Sequence, residues 1–342
     1  RVFKTRSLAT QACTKGNVTL GGQTIKPGRD LRAGDVVEVV RGDLRLRLRV
    51  TALPPQRLGA PRVPEFCENQ TPEEWILKAA ELRRQRELLL QGLDQAGLTL
   101  AERHPRFQKS LEIMLGQQAR AADGGQYPQL PQTYFYPDMP YVQFADPAGY
   151  AWRAALEAQT ETILAEALNL LADQQSFTPY AKLQEGRPQG DVHGLLGNAD
   201  WSTWELTDKG TPLPDRIART PKTAAALETG VPLCRIPNRA PTPMFSLLRP
   251  HSRIPAHTGM INARYICHLP LVVPPGCGFR VGGETREWRV GELMVFDDSV
   301  EHEAWNDSDH DRLVLIFDVW RPEVSEQEQR QIETLFRVVD SV

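Results

Sequence analysis

Residues 244–259 read MFSLLRPHSRIPAHTG, residues 262–306 read NARYICHLPLVVPPGCGFRVGGETREWRVGELMVFDDSVEHEAWN, and residues 312–323 read RLVLIFDVWRPE. Short apolar runs recur at 244–249, 262–273, 278–282, 286–290, 293–296 and 312–320, each closed by Pro, Gly or Asp turns. That rhythm predicts an all-β sandwich or barrel, with 312–320 as a buried strand. Two of the seven histidines stand out by context. His257 ends a strand-like run beside Thr258-Gly259, and His302 follows the turn-forming Asp297-Asp298-Ser299, where a strand would resume. Their separation predicts opposing strands of one barrel. His104, His193, His251 and His310 read as surface or satisfied core residues.

Upstream of the barrel, YPQLPQTYFYPDMPYVQFAD (127–146) reads as an ordered extended segment. A long amphipathic helix is predicted over about 147–174, with Trp152, Leu156, Ile163, Leu164, Leu168 and Leu171 on its apolar side. Strand WSTWELT (201–207) and helix TPKTAAALE (220–228) follow in a loop-rich region, and the helices are expected to pack outside the barrel. Further upstream lie two helical segments, about 71–93 and 105–120, without chemistry-bearing residues. Thr71, Pro72 and Glu74 predict a capped start for the first. Residues 52–70 form a Pro-rich connector, too broken by proline for regular structure.

At the other end of the chain, TRSLATQAC (5–13) has helical spacing, with Leu8, Ala9, Ala12 and Cys13 on one face, and Lys15-Gly16-Asn17 ends it. Gly21-Gly22 and Ala33-Gly34-Asp35 supply turns. RGDLRLRLRV (41–50) reads as an amphipathic strand rather than a nucleic-acid-reading tract. The expected organisation is α+β and multidomain: a small α/β unit at 1–70, a helical connector at 71–125, and a β-barrel domain at 126–342.

Charge divides the chain. Residues 1–50 carry a net +7, whereas the whole of the 342-residue chain is −3, so the remainder is acidic. A basic module on an acidic body suggests two different partners. Five scattered cysteines without a CxxC pair fit reduced thiols and a cytoplasmic setting. No apolar run approaches the ~20 residues of a membrane span, so no membrane partner is expected.

The segment FKTRSLA, KGNVTLGGQTIKP and LRAGDVVEV resembles the small RNA-binding domain of ribosomal protein S-four and of the ribosome-associated heat-shock proteins. The resemblance implies RNA or ribosome contact through Lys4, Arg6, Lys15 and Lys26. The charge bias agrees, since phosphate attraction would make such binding salt-dependent.

The three quoted barrel stretches, with WSTWELTDKG and ARTPKTAAALE upstream, resemble the aspartyl/asparaginyl β-hydroxylase family over about residues 126–325. The resemblance implies a double-stranded β-helix (jelly-roll or cupin-like) oxygenase using Fe(II), 2-oxoglutarate and dioxygen. By position, His257 and His302 match the iron-binding histidines. Arg312 matches the arginine that pairs with the distal carboxylate of 2-oxoglutarate, a role suited to a forked, always-charged guanidinium. Ser246 matches a supporting hydroxyl, and His268 a histidine near the cosubstrate's other end. Arg264 falls on a basic position of the same strand, either part of the site or exposed strand charge.

Most non-haem iron oxygenases add a carboxylate two residues after the first histidine. Here that position is Gly259, an absence the family shares. Two imidazoles plus bidentate 2-oxoglutarate leave two octahedral positions; a halide in one of them is the halogenase alternative, which the flanking motifs disfavour. At Ile266 some family members carry an arginine that helps hold an acidic group; its replacement here bears on the protein Asp/Asn substrate and not on iron or 2-oxoglutarate binding. The expected reaction is hydroxylation of a C–H bond, foremost the β-carbon of Asp or Asn in a protein or peptide. The alternatives are a small-molecule or lipid hydroxylase, and an RNA- or ribosome-binding protein with a ligand-sensing barrel.

Overall fold

The computed structural model describes residues 2–55, 60–121, 125–173, 176–181 and 195–341. The chain divides into two compact units, Arg1–Asp94 and Gln95–Ser341.

The first unit opens with helix α1 (Arg6–Thr14), capped where the Thr5 hydroxyl accepts from Leu8 N–H at 3.2 Å. Strands β1 (Val18–Leu20) and β2 (Gln23–Thr24) form the hairpin turned by Gly21 and Gly22, both at positive φ. Strands β3 (Val36–Arg41), β4 (Leu44–Val50) and β5 (Cys67–Asn69) complete a sheet of order β2-β1-β3-β4-β5. Ala12, Val18, Val37 and Val39 form its core, whereas Leu8 is exposed. The Pro-rich stretch is more ordered than expected: a 3₁₀ turn covers Ala60–Glu65, and past the last proline β5 pairs with β4.

Helix α2 (Glu73–Gln95) clusters with this unit rather than standing apart. The expected Thr71–Glu74 cap gives way to a sheet contact. The Thr71 hydroxyl accepts from Arg47 N–H at 3.0 Å and donates to Asn69 Oδ1 at 2.6 Å. As predicted, β4 is a strand. Its Arg47 pairs with Glu38 at 2.7 Å, and Arg45 and Arg47 lie 4.3 and 4.8 Å from the Trp75 ring centroid.

The second unit begins with helix α3 (Pro105–Met114), which stops six residues short of the expected end. After β6 (Phe144–Ala145) the predicted long helix is broken into a 3₁₀ turn at Pro147–Gly149, α4 (Arg153–Glu157) and α5 (Thr160–Ala172). The Thr160 hydroxyl donates to the Glu157 carbonyl at 2.6 Å, a local bond that competes with the helical ladder. The Glu157 carboxylate meanwhile accepts from Leu293 N–H at 2.7 Å. Leu156, Ile163, Ala167 and Leu170 are buried and Leu168 is exposed. Next come β7 (Thr178–Pro179), β8 (Trp201–Glu205), the hairpin β9 (Thr207–Asp208) and β10 (Thr211–Pro212), α6 (Pro214–Ile217) and α7 (Pro221–Gly230).

The barrel strands are β11 (Met244–Leu248), β12 (Ser252–His257), β13 (Arg264–Val272), β14 (Cys277–Val281), β15 (Glu284–Arg286), β16 (Met294–Phe296), β17 (His302–Asn306) and β18 (Arg312–Trp320). They form a double-stranded β-helix: a seven-stranded sheet of order β6-β16-β13-β18-β11-β8-β7 and a four-stranded sheet of order β12-β17-β14-β15. Both faces of the larger sheet are covered, which is why β13 and β18 read as unbroken apolar runs. Alternation along each strand divides two cores. Leu313, Leu315, Phe317 and Val319 pack with Leu156, Ile163 and Leu227 of the helices. Ile316 and Ile266 pack instead with Phe279, Phe296, Val281 and Ala304. Each such side chain contributes about 1.5–3 kcal/mol.

After β18 comes helix α8 (Glu326–Val339), beyond the expected elements, which starts at a capping box formed by Ser325 and Glu328. The Glu328 carboxylate also accepts from Arg106 Nε and from Tyr136 Oη, both at 2.7 Å, tying α8 to α3 and to the extended segment.

Candidate active site

Alternation also gathers the polar side chains. On β18, β13 and β11 the residues facing away from the helices include Arg312, Asp318, Arg264, His268 and Ser246. Of these, Arg312, Arg264, His268 and Ser246 line, with His257 and His302, one cavity of about 340 Å³, whose wall includes Met244, Ile254, Ile266, Ile316, Phe296 and Trp201.

His257 and His302 sit on neighbouring strands, not opposing ones. β12 and β17 are paired with these two residues as register partners, after a bulge between Ile254 and His257. The bulge re-aims the end of β12, and the two rings lie 4.2 Å apart. His257 Nδ1 is 2.7 Å from Pro255 O, and His302 Nδ1 is 3.0 Å from Val300 O. A carbonyl only accepts, so each Nδ1 carries the proton and each lone pair is on Nε2, the arrangement a metal ligand requires. Burial, reinforced by His257, pushes His302 down to about 3, keeping it neutral.

His268 has the opposite tautomer. Its Nδ1 accepts from Trp288 Nε1 at 3.2 Å, so Nε2 carries the proton. Burial first, then Arg312, hold it well below its ordinary value, so it is a neutral hydrogen-bond donor rather than a third ligand.

Arg312 is 1% exposed, and its Nε and Nη2 have no hydrogen-bond partner among the described residues. Burial lowers the guanidinium to about 10, with no carboxylate offsetting it. A buried, unsatisfied cation is costly and calls for an anion. Ser246 is fully buried, and its hydroxyl accepts from Trp201 Nε1 at 3.1 Å, leaving its own proton to donate. Trp201, a strand residue with no chemical signal in its sequence context, thus lines the cavity and orients Ser246.

Arg264 is not exposed strand charge. It is 6% exposed, with Nη1 2.8 Å from Asp318 Oδ2 and Nη2 3.3 Å from Asp298 Oδ2. Burial alone would lower this guanidinium, but the two aspartates raise it above its ordinary value. Burial pushes Asp298 up to about 7, with Arg264 pulling against it. The Asp298 carboxylate also explains Gly259: a Cβ there would collide with it, so the place of the missing carboxylate is already filled. Among the described residues no group of three or more His, Cys, Asp or Glu side chains could hold a metal ion.

The remaining histidines serve elsewhere. His104 caps α3 and lies 3.1 Å from Glu328; His251 faces Asp309 at 2.9 Å on the surface; His310 is exposed; His193 lies outside the described residues. In the first unit Lys4, Arg6, Lys15 and Lys26 are all exposed on or beside α1 and β2.

Comparison with known proteins agrees with this geometry. Residues 157–322 match the family model described as aspartyl/asparaginyl beta-hydroxylase, and residues 1–37 match the S4 domain. The aspartyl/asparaginyl beta-hydroxylase of Mus musculus is 37% identical over 147 residues, covering 41% of this chain and 19% of that protein. The aspartate beta-hydroxylase domain-containing protein 2 of Homo sapiens is 31% identical over 212 residues, covering 61% and 55%. The ornithine lipid ester-linked acyl 2-hydroxylase of Rhizobium tropici is 32% identical over 180 residues, covering 52% and 60%. The chain thus spans from about a fifth to three fifths of the length of these relatives. Residues 1–37 are thus similar to the S4 domain, and residues 157–322 to the aspartyl/asparaginyl beta-hydroxylase family.

Proposed function

We propose that the chain is an iron(II)- and 2-oxoglutarate-dependent oxygenase that hydroxylates a C–H bond, foremost the β-carbon of Asp or Asn in a protein or peptide. The observation that carries this reading is Arg312: a fully buried guanidinium with two unpaired N–H groups, lining the same cavity as two neutral imidazoles. Such a cavity suits a dianion that chelates a metal at one end and neutralises an arginine at the other. The donor set suits Fe(II), since imidazole is a borderline ligand and a chelating keto acid supplies the oxygens.

His257 and His302 would hold iron through Nε2. Arg312 and the Ser246 hydroxyl would hold the distal carboxylate, with Trp201 orienting Ser246. His268 would donate its Nε2 proton to the cosubstrate. When bound, iron with 2-oxoglutarate and dioxygen supplies the oxidising chemistry, leaving succinate, carbon dioxide and a hydroxylated product. The protein's share is position and electrostatics. The apolar wall of Ile254, Ile266, Ile316 and Phe296 excludes water and so strengthens the charge interactions of Arg312.

The test is succinate formation from 2-oxoglutarate by purified protein with Fe(II), alongside metal content of the wild type and of His302→Ala. Turnover and stoichiometric iron, both lost in the variant, are expected. No turnover together with unchanged metal content would overturn the reading.

The first unit supports a second role. Its S4 match and its net +7 over residues 1–50 favour RNA or ribosomal contact through Lys4, Arg6, Lys15 and Lys26, which would tether the oxygenase near its substrate. Five cysteines without a disulfide fit a cytoplasmic setting. Among the described residues no helix is long and apolar enough to cross a membrane.

A further inference from the structure

We infer that Gln129 is a positioning residue: its side-chain amide clamps the loop after His257 to the loop before His302, and so sets the spacing at which the two imidazoles can share one metal ion. The inference rests on the metal site of the proposed function and adds to it a residue from outside the barrel strands.

The histidines need such support because both are strand termini. His257 is the last residue of β12 and His302 the first of β17, and the bulge between Ile254 and His257 interrupts the ladder beside them. The sheet therefore holds each imidazole from one side only. On the other side lie loops 258–263 and 297–301, which meet directly where Gly259 N–H donates to Asp298 O at 2.6 Å.

The extended segment upstream of the barrel grips both loops. Leu130 N–H donates to Ser299 O at 2.6 Å in one loop. Gln132 and Thr133 N–H donate to Gly259 O and Met260 O, at 3.0 and 2.9 Å, in the other. Gln129 adds a link that runs from loop to loop through side chains. Its Oε1 accepts from Asn262 Nδ2 at 3.1 Å, and its Nε2 donates to Asp297 Oδ2 at 2.6 Å. All three residues are buried.

Both partners are themselves fixed. Asn262 Oδ1 accepts from Tyr136 N–H at 2.6 Å and its Nδ2 donates to Tyr136 O at 2.8 Å, which sets the direction of that amide. Asp297 Oδ2 also accepts from Arg321 Nη1 at 2.9 Å, and its Oδ1 from the Ser299 N–H at 3.0 Å and hydroxyl at 2.5 Å. The Asp297 carbonyl accepts from Val300 N–H at 3.2 Å, and the Val300 carbonyl receives the His302 Nδ1 proton. A path of hydrogen bonds thus runs from Gln129 to the imidazole. The chemistry at 129 is that of an amide, an acceptor toward Asn262 and a donor toward Asp297. Glu there would set a second buried carboxylate against Asp297, and Met would leave both partners short of a bond.

The test is Co(II) titration of the full chain, with and without 2-oxoglutarate, followed by visible absorption. Gln129→Met keeps the volume and loses both bonds. It is expected to bind Co(II) about tenfold more weakly than wild type, as loss of a partner behind the metal ligands does, with an altered band shape. Gln129→Asn, one methylene too short to span both partners, should fall between the two. Circular dichroism checks folding, and Gln129→Asn carries the test if Gln129→Met does not fold. His302→Ala identifies the site by losing the signal. Leu170→Ala, in the helix-facing core, is the stability control: at a comparable drop in melting temperature its Co(II) affinity and spectrum should stay at wild-type values. Wild-type affinity and spectrum in the folded Gln129 variants would overturn the inference. So would equal weakening in Leu170→Ala, or a wild-type protein without a His302-dependent Co(II) site. If Co(II) binding falls in the Gln129 variants but wild-type protein with Fe(II) turns over no 2-oxoglutarate, the oxygenase reading fails and the clamp stands.

Discussion

Arg312 and Gly259 each state a physical bargain at the level of one residue. A buried guanidinium whose Nε and Nη2 lack partners among the described residues is a local cost, which under the proposed function a ligand would offset. Arg312→Met should therefore raise the melting temperature of the ligand-free protein, since apolar replacement of a buried charge is commonly neutral or stabilising. The same variant should lose the thermal shift given by 2-oxoglutarate with Zn(II). In the wild type that shift should correspond to about 2.7 kcal/mol at a hundredfold excess over the dissociation constant. Differential scanning fluorimetry reads both, and a lower melting temperature for the unliganded variant would contradict this account. At position 259 the vacancy in the His-x-Asp pattern cannot simply be filled, because a side chain there meets the Asp298 carboxylate. Gly259→Asp is expected to cost about 1–3 kcal/mol in urea denaturation, as overpacking does, without tightening metal binding. Adding Asp298→Gly should recover most of that loss, because the new carboxylate then has the old one's volume. The absence of an acid at 259 was legible in the sequence. Its cause was not, since Asp298 lies 39 positions away and only the fold brings the two together.

Elements explain which features could be read in advance. β13 and β18 were legible because both faces of the larger sheet are covered, so every position is apolar or a deliberate exception, and Arg264, His268, Arg312 and Asp318 are those exceptions. The pairing of Arg264 with Asp298 and Asp318 was hidden, because exposed and ion-paired arginines look alike along a strand. The three tautomers were hidden too, since they depend on Pro255 O, Val300 O and Trp288 Nε1. The break between α4 and α5 escaped for a similar reason: apolar spacing continues across it, while local bonds of Thr160 and Glu157 decide it. Helix α8 supplies the testable case. Burial would raise Glu328, but hydrogen bonds from Arg106, Tyr136 and Ser325 outweigh it and hold the carboxyl at about 2, against 4.5 ordinarily. A depressed folded-state value means stability is present above pH ~4.5 and is lost as pH falls toward 2. Glu328→Gln should cost about 3 kcal/mol at pH 7, and the difference from wild type should shrink across that acid window. Equal slopes for the two proteins in acid titration, followed by circular dichroism, would exclude this role.

At the scale of the whole molecule, the two compact units carry opposite net charge. In the first unit not every arginine is available to phosphate. Arg45 and Arg47 are engaged with Glu38 and the Trp75 ring, and Arg86 pairs with Asp43 at 2.9 Å. The number of basic residues therefore overstates the binding surface, and the exposed set Lys4, Arg6, Lys15 and Lys26 should carry most of the phosphate attraction. Changing these four to Glu should weaken binding to a structured ribosomal RNA fragment and reduce the salt slope of log K by about 3, roughly the share of four phosphate contacts. Arg45→Gln should instead lower the unit's thermal stability and leave that slope nearly unchanged. Filter binding between 50 and 200 mM salt, with thermal melts in parallel, separates the two effects. Iron-dependent 2-oxoglutarate turnover should be unaltered in the fourfold variant, because none of those residues lies in the unit that holds the barrel. A fourfold variant with wild-type RNA affinity and slope would remove RNA tethering from the proposed function and leave the oxygenase site as it stands.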